Sequence, residues 1–172
     1  MKWLVCVLAI ALVSFLSGCS SGQLLGLPLD TAGESLNSPY AETEPQFVNG
    51  QYLVFISDRN GSQDVFLYDL KARQLIDLPN LNTADSVASH PGISSNGRYI
   101  VFASSRQGES DIYLYDREVQ TLKNLTATLE ADVRYPTISG DGERIAFESN
   151  GRGQWDIVVC DRMGKPLALS SE

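Results

Sequence analysis

Pro91-Gly92-Ile93-Ser94-Ser95-Asn96-Gly97-Arg98-Tyr99-Ile100-Val101-Phe102, followed nine positions after that Phe by Asp111-Ile112-Tyr113-Leu114-Tyr115-Asp116, decides the fold. Asn-Gly favours the positive φ angles of a tight hairpin turn, and the β-branched and aromatic runs around it suit strands. The stretch predicts a first strand over Gly92–Ser94, a second over Tyr99–Ala103, a polar loop over Ser104–Ser110 and a third strand over Asp111–Tyr115. A turn through Asp116–Val119 leads to a fourth strand, with Leu122 and Leu125 facing inward.

The same unit stands on either side. Pro45, Pro91 and Pro136 open the copies; Gly50, Gly97 and Gly142 mark the turns; Phe55, Phe102 and Phe147 end the second strands. Nine positions then lead to Asp64, Asp111 and Asp156, and five more to Asp69, Asp116 and Asp161. Four short strands in about 45 residues have the size of a propeller blade. The 3.6-residue apolar period of a helical solenoid is absent. The expectation is an all-β chain of three four-stranded antiparallel propeller blades, over 44–89, 90–134 and 135–172. Leu75 and Leu78, and Leu167 and Leu169, would be the inward residues of the other two fourth strands.

Pro136-Thr137-Ile138-Ser139-Gly140-Asp141-Gly142, with Ile145-Ala146-Phe147 and Asp156-Ile157, resembles the repeat of TolB-type propellers, as does Pro91–Tyr113. That repeat usually reads Pro-x-Trp-Ser-Pro-Asp-Gly, an apolar strand ending in Phe, then Asp-Ile-Tyr. Here Phe47, Ile93 and Ile138 stand where the family has Trp, and the first copy is one residue short before Gly50. The resemblance covers about three quarters of the chain. It implies a non-catalytic module that recognises another protein of the bacterial envelope, as in the Tol–Pal system. Related repeats accompany prolyl-peptidase-like hydrolases, so two other readings stand beside it: a hydrolase-associated or sugar-binding propeller, and a structural subunit that completes a larger ring. Three blades would leave two raw edges, and a homodimer closing a six-bladed ring, or a hetero-oligomer, would be the remedy.

The N-terminus reads separately. Lys2 and the apolar run Trp3–Phe15 have the form of a signal peptide, too short for the ~20 residues of a membrane-spanning helix. Leu16-Ser17-Gly18-Cys19 resembles a lipobox, which implies cleavage after residue 18 and fatty acylation of Cys19. Residues 19–43 would be the lipidated N-terminus and a flexible tether, holding the chain at a membrane and facing the periplasm or the exterior. Cys6 would leave with the signal, so Cys160 has no disulfide partner. The whole chain carries a net charge of −8, and losing Lys2 leaves 12 basic against 21 acidic residues. Nucleic acid is thereby excluded as an electrostatic partner.

No cofactor is expected. The lone His90 is read as a variable residue of an inter-blade loop, with Glu44 and Tyr135 in its place in the other copies. Asp58-x-Asn60-Gly61-Ser62-x-Asp64 has the alternating oxygens of a calcium loop but lacks the closing Glu, and a plain loop is the better reading. Asp64, Asp111 and Asp156 are expected to cap turn amides. In a four-stranded meander, the loops between second and third strands emerge on one face with the connections between copies. That face would collect Arg59, Arg106, Arg152 and Trp155, with Asp85 and Asp132, as a candidate partner-binding set.

Overall fold

The structure, a computed structural model, describes residues 34–106 and 109–168, and of Arg106 only the backbone. The expected signal peptide and Cys19 lie outside the described residues, as does Leu169. Three antiparallel sheets follow one another: β1 (Glu42–Val48), β2 (Tyr52–Ser57), β3 (Asp64–Asp69) and β4 (Gln74–Ile76); then β5 (Ser86–Ile93), β6 (Tyr99–Arg106), β7 (Glu109–Asp116) and β8 (Thr121–Asn124); then β9 (Val133–Ile138), β10 (Arg144–Ser149) and β11 (Asp156–Asp161). The fold is all-β, as the repeats predict. In the third blade, the fourth strand is reduced to an isolated bridge between Cys160 and Pro166, extended by Leu167 donating its amide to the Val159 carbonyl. Its Leu167 is exposed rather than inward.

The loop expected over Ser104–Ser110 is mostly strand. Ser104 pairs with Asp111, Ser105 with Ser110 and Arg106 with Glu109, so the β6–β7 hairpin runs beyond the apolar core. The residue missing from the first copy has a simple cause. Asn49 and Gly50 both take positive φ (48° and 63°), and three residues, 49–51, separate the paired Val48 and Tyr52. The other two copies place four residues between Ser94 and Tyr99 and between Ser139 and Arg144, and there only Gly97 and Gly142 are left-handed. Residues 34–41, expected within the tether, pack on the first blade, where Ala41 donates to Asp58.

Side chains alternate across each blade, so every blade has two faces. Val54, Ile56, Val65 and Leu67 of the first pack against Ile100, Phe102, Tyr113 and Tyr115 of the second. Tyr99, Val101, Ala103, Ile112 and Leu114 on the second blade's other face pack against Ile145, Phe147 and Cys160 of the third. A polar hook joins each pair. The Tyr52 ring lies against Gly97, where a Cβ would come within 2.7 Å of it, and Arg117 stacks 5.2 Å from the ring centre. Tyr99 meets Gly142 in the same way, under Arg162 at 4.8 Å.

The two ends of the arc lack this hook. Tyr52, Tyr99 and Arg144 each face the corresponding Asp across the strand pair, so Arg144 stands where a fourth blade would need the Tyr. After that Asp, Arg117 and Arg162 become Leu70 in the first blade. The first blade's rear face is already covered. Phe55 and Phe66 stack at 5.7 Å, and the Arg59 guanidinium sits 4.8 Å from the Phe66 centroid and 5.5 Å from that of Phe55. A homodimeric ring would have to bury these two ends against each other without the contacts that join the inner blades.

Candidate protein-binding face

The sequence places six residues on one face; the structure divides them. Arg59 points inward: its side chain is 4% exposed, it donates to the carbonyls of Ser35 and Leu36, and it pairs with Glu42 at 2.8 Å. It caps the first blade and is removed from the candidate set, because a side chain enclosed by its own chain cannot serve as an anchor for another. Arg106 ends a strand rather than lying in a loop, and its side chain is outside the described residues. Asp85 is exposed on the β4–β5 connection.

The remaining three cluster on the third blade. Arg152 is 80% exposed and pairs with Asp156 at 3.0 Å. Asp132 accepts from the Asn150 side chain at 2.7 Å and borders a cleft of 540 Å³ between the second and third blades. Glu109, Asp111 and Glu130 also line it, so the cleft is acidic. Trp155 is 43% exposed, and the Arg134 guanidinium lies 3.8 Å from its ring centre. Arg134 is held on its other side by Glu148 at 2.8 Å and stands 5.0 Å from Tyr135, a ring 47% exposed. Arg134 thus stands within stacking range of both rings and joins Trp155 and Tyr135 in one ladder at the rim, each ring partly open to solvent.

Tyr135 was hidden in the sequence with its equivalents. Glu44, His90 and Tyr135 are strand residues, not loop residues, and each takes φ near +50° (53°, 52° and 51°) directly before its proline. Each bulges its strand at the same point, which turns the three side chains together. The His90 ring meets Tyr135 edge-on at 4.2 Å, and its Nε2 lies 3.8 Å from Glu44. They border a second cleft, of 330 Å³, with their prolines. The shared Pro marked these positions as equivalent, which was the one signal that they would converge.

The turn capping expected of Asp64, Asp111 and Asp156 falls to the second aspartate of each pair. Asp64, Asp111 and Asp156 accept from side chains instead of turn amides: Asn60 and Ser62, Asn124 and Thr126, Arg152 and Gln154. Turn capping belongs to Asp69, Asp116 and Asp161, which accept amides of the following residues at 2.8 to 3.0 Å. The Ala72 amide lowers the Asp69 pKa, the Arg98 guanidinium that of Asp116 and the Lys165 amide that of Asp161. In the Asp58–Asp64 loop the Asn60 and Ser62 side chains both donate to Asp64. Among the described residues no group of three or more His, Cys, Asp or Glu side chains is placed to hold a metal.

No family model matches the sequence, and no curated protein matches it. Solved structures do match. TolB from Acinetobacter baumannii superimposes with a TM-score of 0.58 at 20% identity over 80% of this chain and 34% of that one. A puromycin-hydrolysing peptidase of Mycobacterium tuberculosis gives 0.57 at 16% identity, over 74% and 20% of the two chains. The β-propeller domain of the Trilobed protease from Pyrococcus furiosus, described as having an open velcro topology, gives 0.56 at 16% identity, over 74% and 42%. The chain spans about a third of the TolB structure and a fifth of the peptidase. At these identities the likeness is one of fold, and the fold is that of a TolB-like β-propeller represented by three blades.

Proposed function

We propose that this chain is a non-catalytic lipoprotein of the bacterial envelope whose propeller arc recognises another protein. The observation that carries the reading is the Trp155–Arg134–Tyr135 ladder. Two aromatic rings are exposed and fixed by a guanidinium between them, on a scaffold of paired strands. Trp, Tyr and Arg are the side chains most often found as interface anchors, and a pre-ordered anchor loses little freedom on binding. The acidic cleft beside it adds charge selection, favouring a partner with basic side chains. The TolB-like fold supports an envelope setting, and Cys19 would supply the anchor.

Capture from detergent-solubilised membranes tests the reading. Trp155→Ala should lower recovery of the partner about thirtyfold, the effect of losing ~2 kcal/mol, while the melting temperature stays within a degree or two of wild type. Equal capture by wild type and variant would reject this face. The peptidase neighbours support a rival, a propeller that accompanies a hydrolase. Peptidase activity in the captured complex would favour it.

A further inference from the structure

Among the described residues nothing covers the third blade's outward face, and its chemistry differs from that of the same face in the blades before it. Val54, Ile56, Val65 and Leu67 in the first blade, and Val101, Ala103, Ile112 and Leu114 in the second, are buried by the blade that follows. The corresponding residues here, fixed by strand register, are Ala146, Glu148, Ile157 and Val159. Ile157 is 64% exposed. Along β10 this face reads Arg144, Ala146, Glu148: a cation, a small residue and an anion at equal spacing.

We infer that this face docks a second copy of the chain, face to face about a two-fold axis over Ala146, instead of joining head to tail in a ring. An axis lying between the two faces and perpendicular to β10 reverses the strand. It sets Arg144 over the partner's Glu148 and Glu148 over the partner's Arg144, with Val159 against its own copy. Ala146 at the axis lets the two sheets approach. The pattern is complementary to itself, which an isologous interface requires. Head-to-tail closure has no such match: Leu70 and Arg144 replace the hook residues, and Arg59 with residues 34–41 occupies the first blade's rear face. The inference is independent of the lipid anchor, but it shares Glu148 with the Trp155 rim, where that carboxylate holds Arg134.

Sedimentation of the full-length chain in mild detergent reads the association, and two charge variants identify the surface. Arg144→Glu places Glu against the partner's Glu148, and Glu148→Arg places Arg against the partner's Arg144. Each should weaken self-association by about 100-fold or more, the cost of like charges brought together in an interface. Mixing the two variants should restore a dimer, because the opposite charges then meet at both contacts. Ala146→Cys should be joined to its own copy by a short bifunctional maleimide that spans the ~10 Å between packed sheets, beyond any linking seen in wild type, and this holds even where the charge changes disturb the Arg134–Glu148 pair. A wild-type monomer at tens of micromolar, where such an interface is expected to be occupied, would overturn the inference. So would a dimer that ignores both charge variants and leaves Ala146→Cys unlinked.

Discussion

The ring of Tyr99 lies where a side chain on Gly142 would have to go, 2.6 Å from the position of its Cβ. The third blade's turn can close on the second only because that residue is glycine, and its φ of +77° needs glycine as well. Gly142→Ala should therefore cost both the left-handed strain and the displacement of Tyr99, about 2 kcal/mol or more in total. Gly50→Ala has positive φ but open space around it, and should cost only the conformational part. Denaturant unfolding of the two variants checks the order. Equal losses would mean that the Tyr99 contact contributes nothing.

Arg59 gives a second test, since the structure assigns it to stability and not to recognition. Arg59→Ala would leave Glu42 without its guanidinium and uncover Phe55 and Phe66. A loss of about 2–3 kcal/mol is expected, with increased binding of a hydrophobic dye. Arg152→Ala, at an exposed ion pair, should change stability by no more than about 0.5 kcal/mol.

Acid should loosen the turns between third and fourth strands. Asp116 accepts two hydrogen bonds from Arg98, at 2.9 and 2.7 Å, and its pKa lies below the ordinary 3.8. A carboxylate with a lowered folded pKa gives its full stabilisation above its unfolded value. That contribution is lost as pH falls through the folded value. Stability should hold from neutral pH down to the ordinary carboxylate range and then decline below 3.8. Asp116→Asn should be less stable than wild type at neutral pH and show a shallower decline in acid, measured by urea unfolding across that range.

Cys160 should be silent in the folded chain. It is buried, and burial pushes its thiol up to about 11. A maleimide should label it slowly in native protein and rapidly in denaturant; fast native labelling would mean that the third blade opens. At the other end of the chain, Cys19→Ala should release the protein from the detergent phase. Equal retention of variant and wild type would remove the anchor from the functional reading.

The repeat makes the blades legible in the sequence. Gly97, Asp111 and Asp116 recur with their equivalents at fixed distances, and hairpin geometry follows from such landmarks. What the sequence concealed was direction. Arg59 and Arg106 occupy one repeat position, yet Arg59 folds inward, where among the described residues no other blade covers Phe55. Glu44, His90 and Tyr135 share no propensity for left-handed backbone, so their common bulge could be read only from the strands. Ser104–Arg106 looked like a loop because polar composition marks solvent exposure, and a hairpin tip beyond the core is exposed while still paired. The Trp155 half of the rim was visible as composition; the Arg134 stack that fixes it was not.

The hook between blades also bears on how such an arc changes length. Each joint takes a tyrosine from one unit and a glycine with an arginine from the next, and only the middle unit carries both halves. Copying residues of that unit in tandem would create a joint of Tyr99 with another Gly97 and Arg117, like the joints already present. Removing it would bring Tyr52 to Gly142 and Arg162, again a matched set. The first and third units have no such freedom, since Leu70 and Arg144 accept nothing. The chain is built like a polymer with one repeatable monomer and two end groups, so insertions and deletions that preserve folding should fall on the middle unit as a whole.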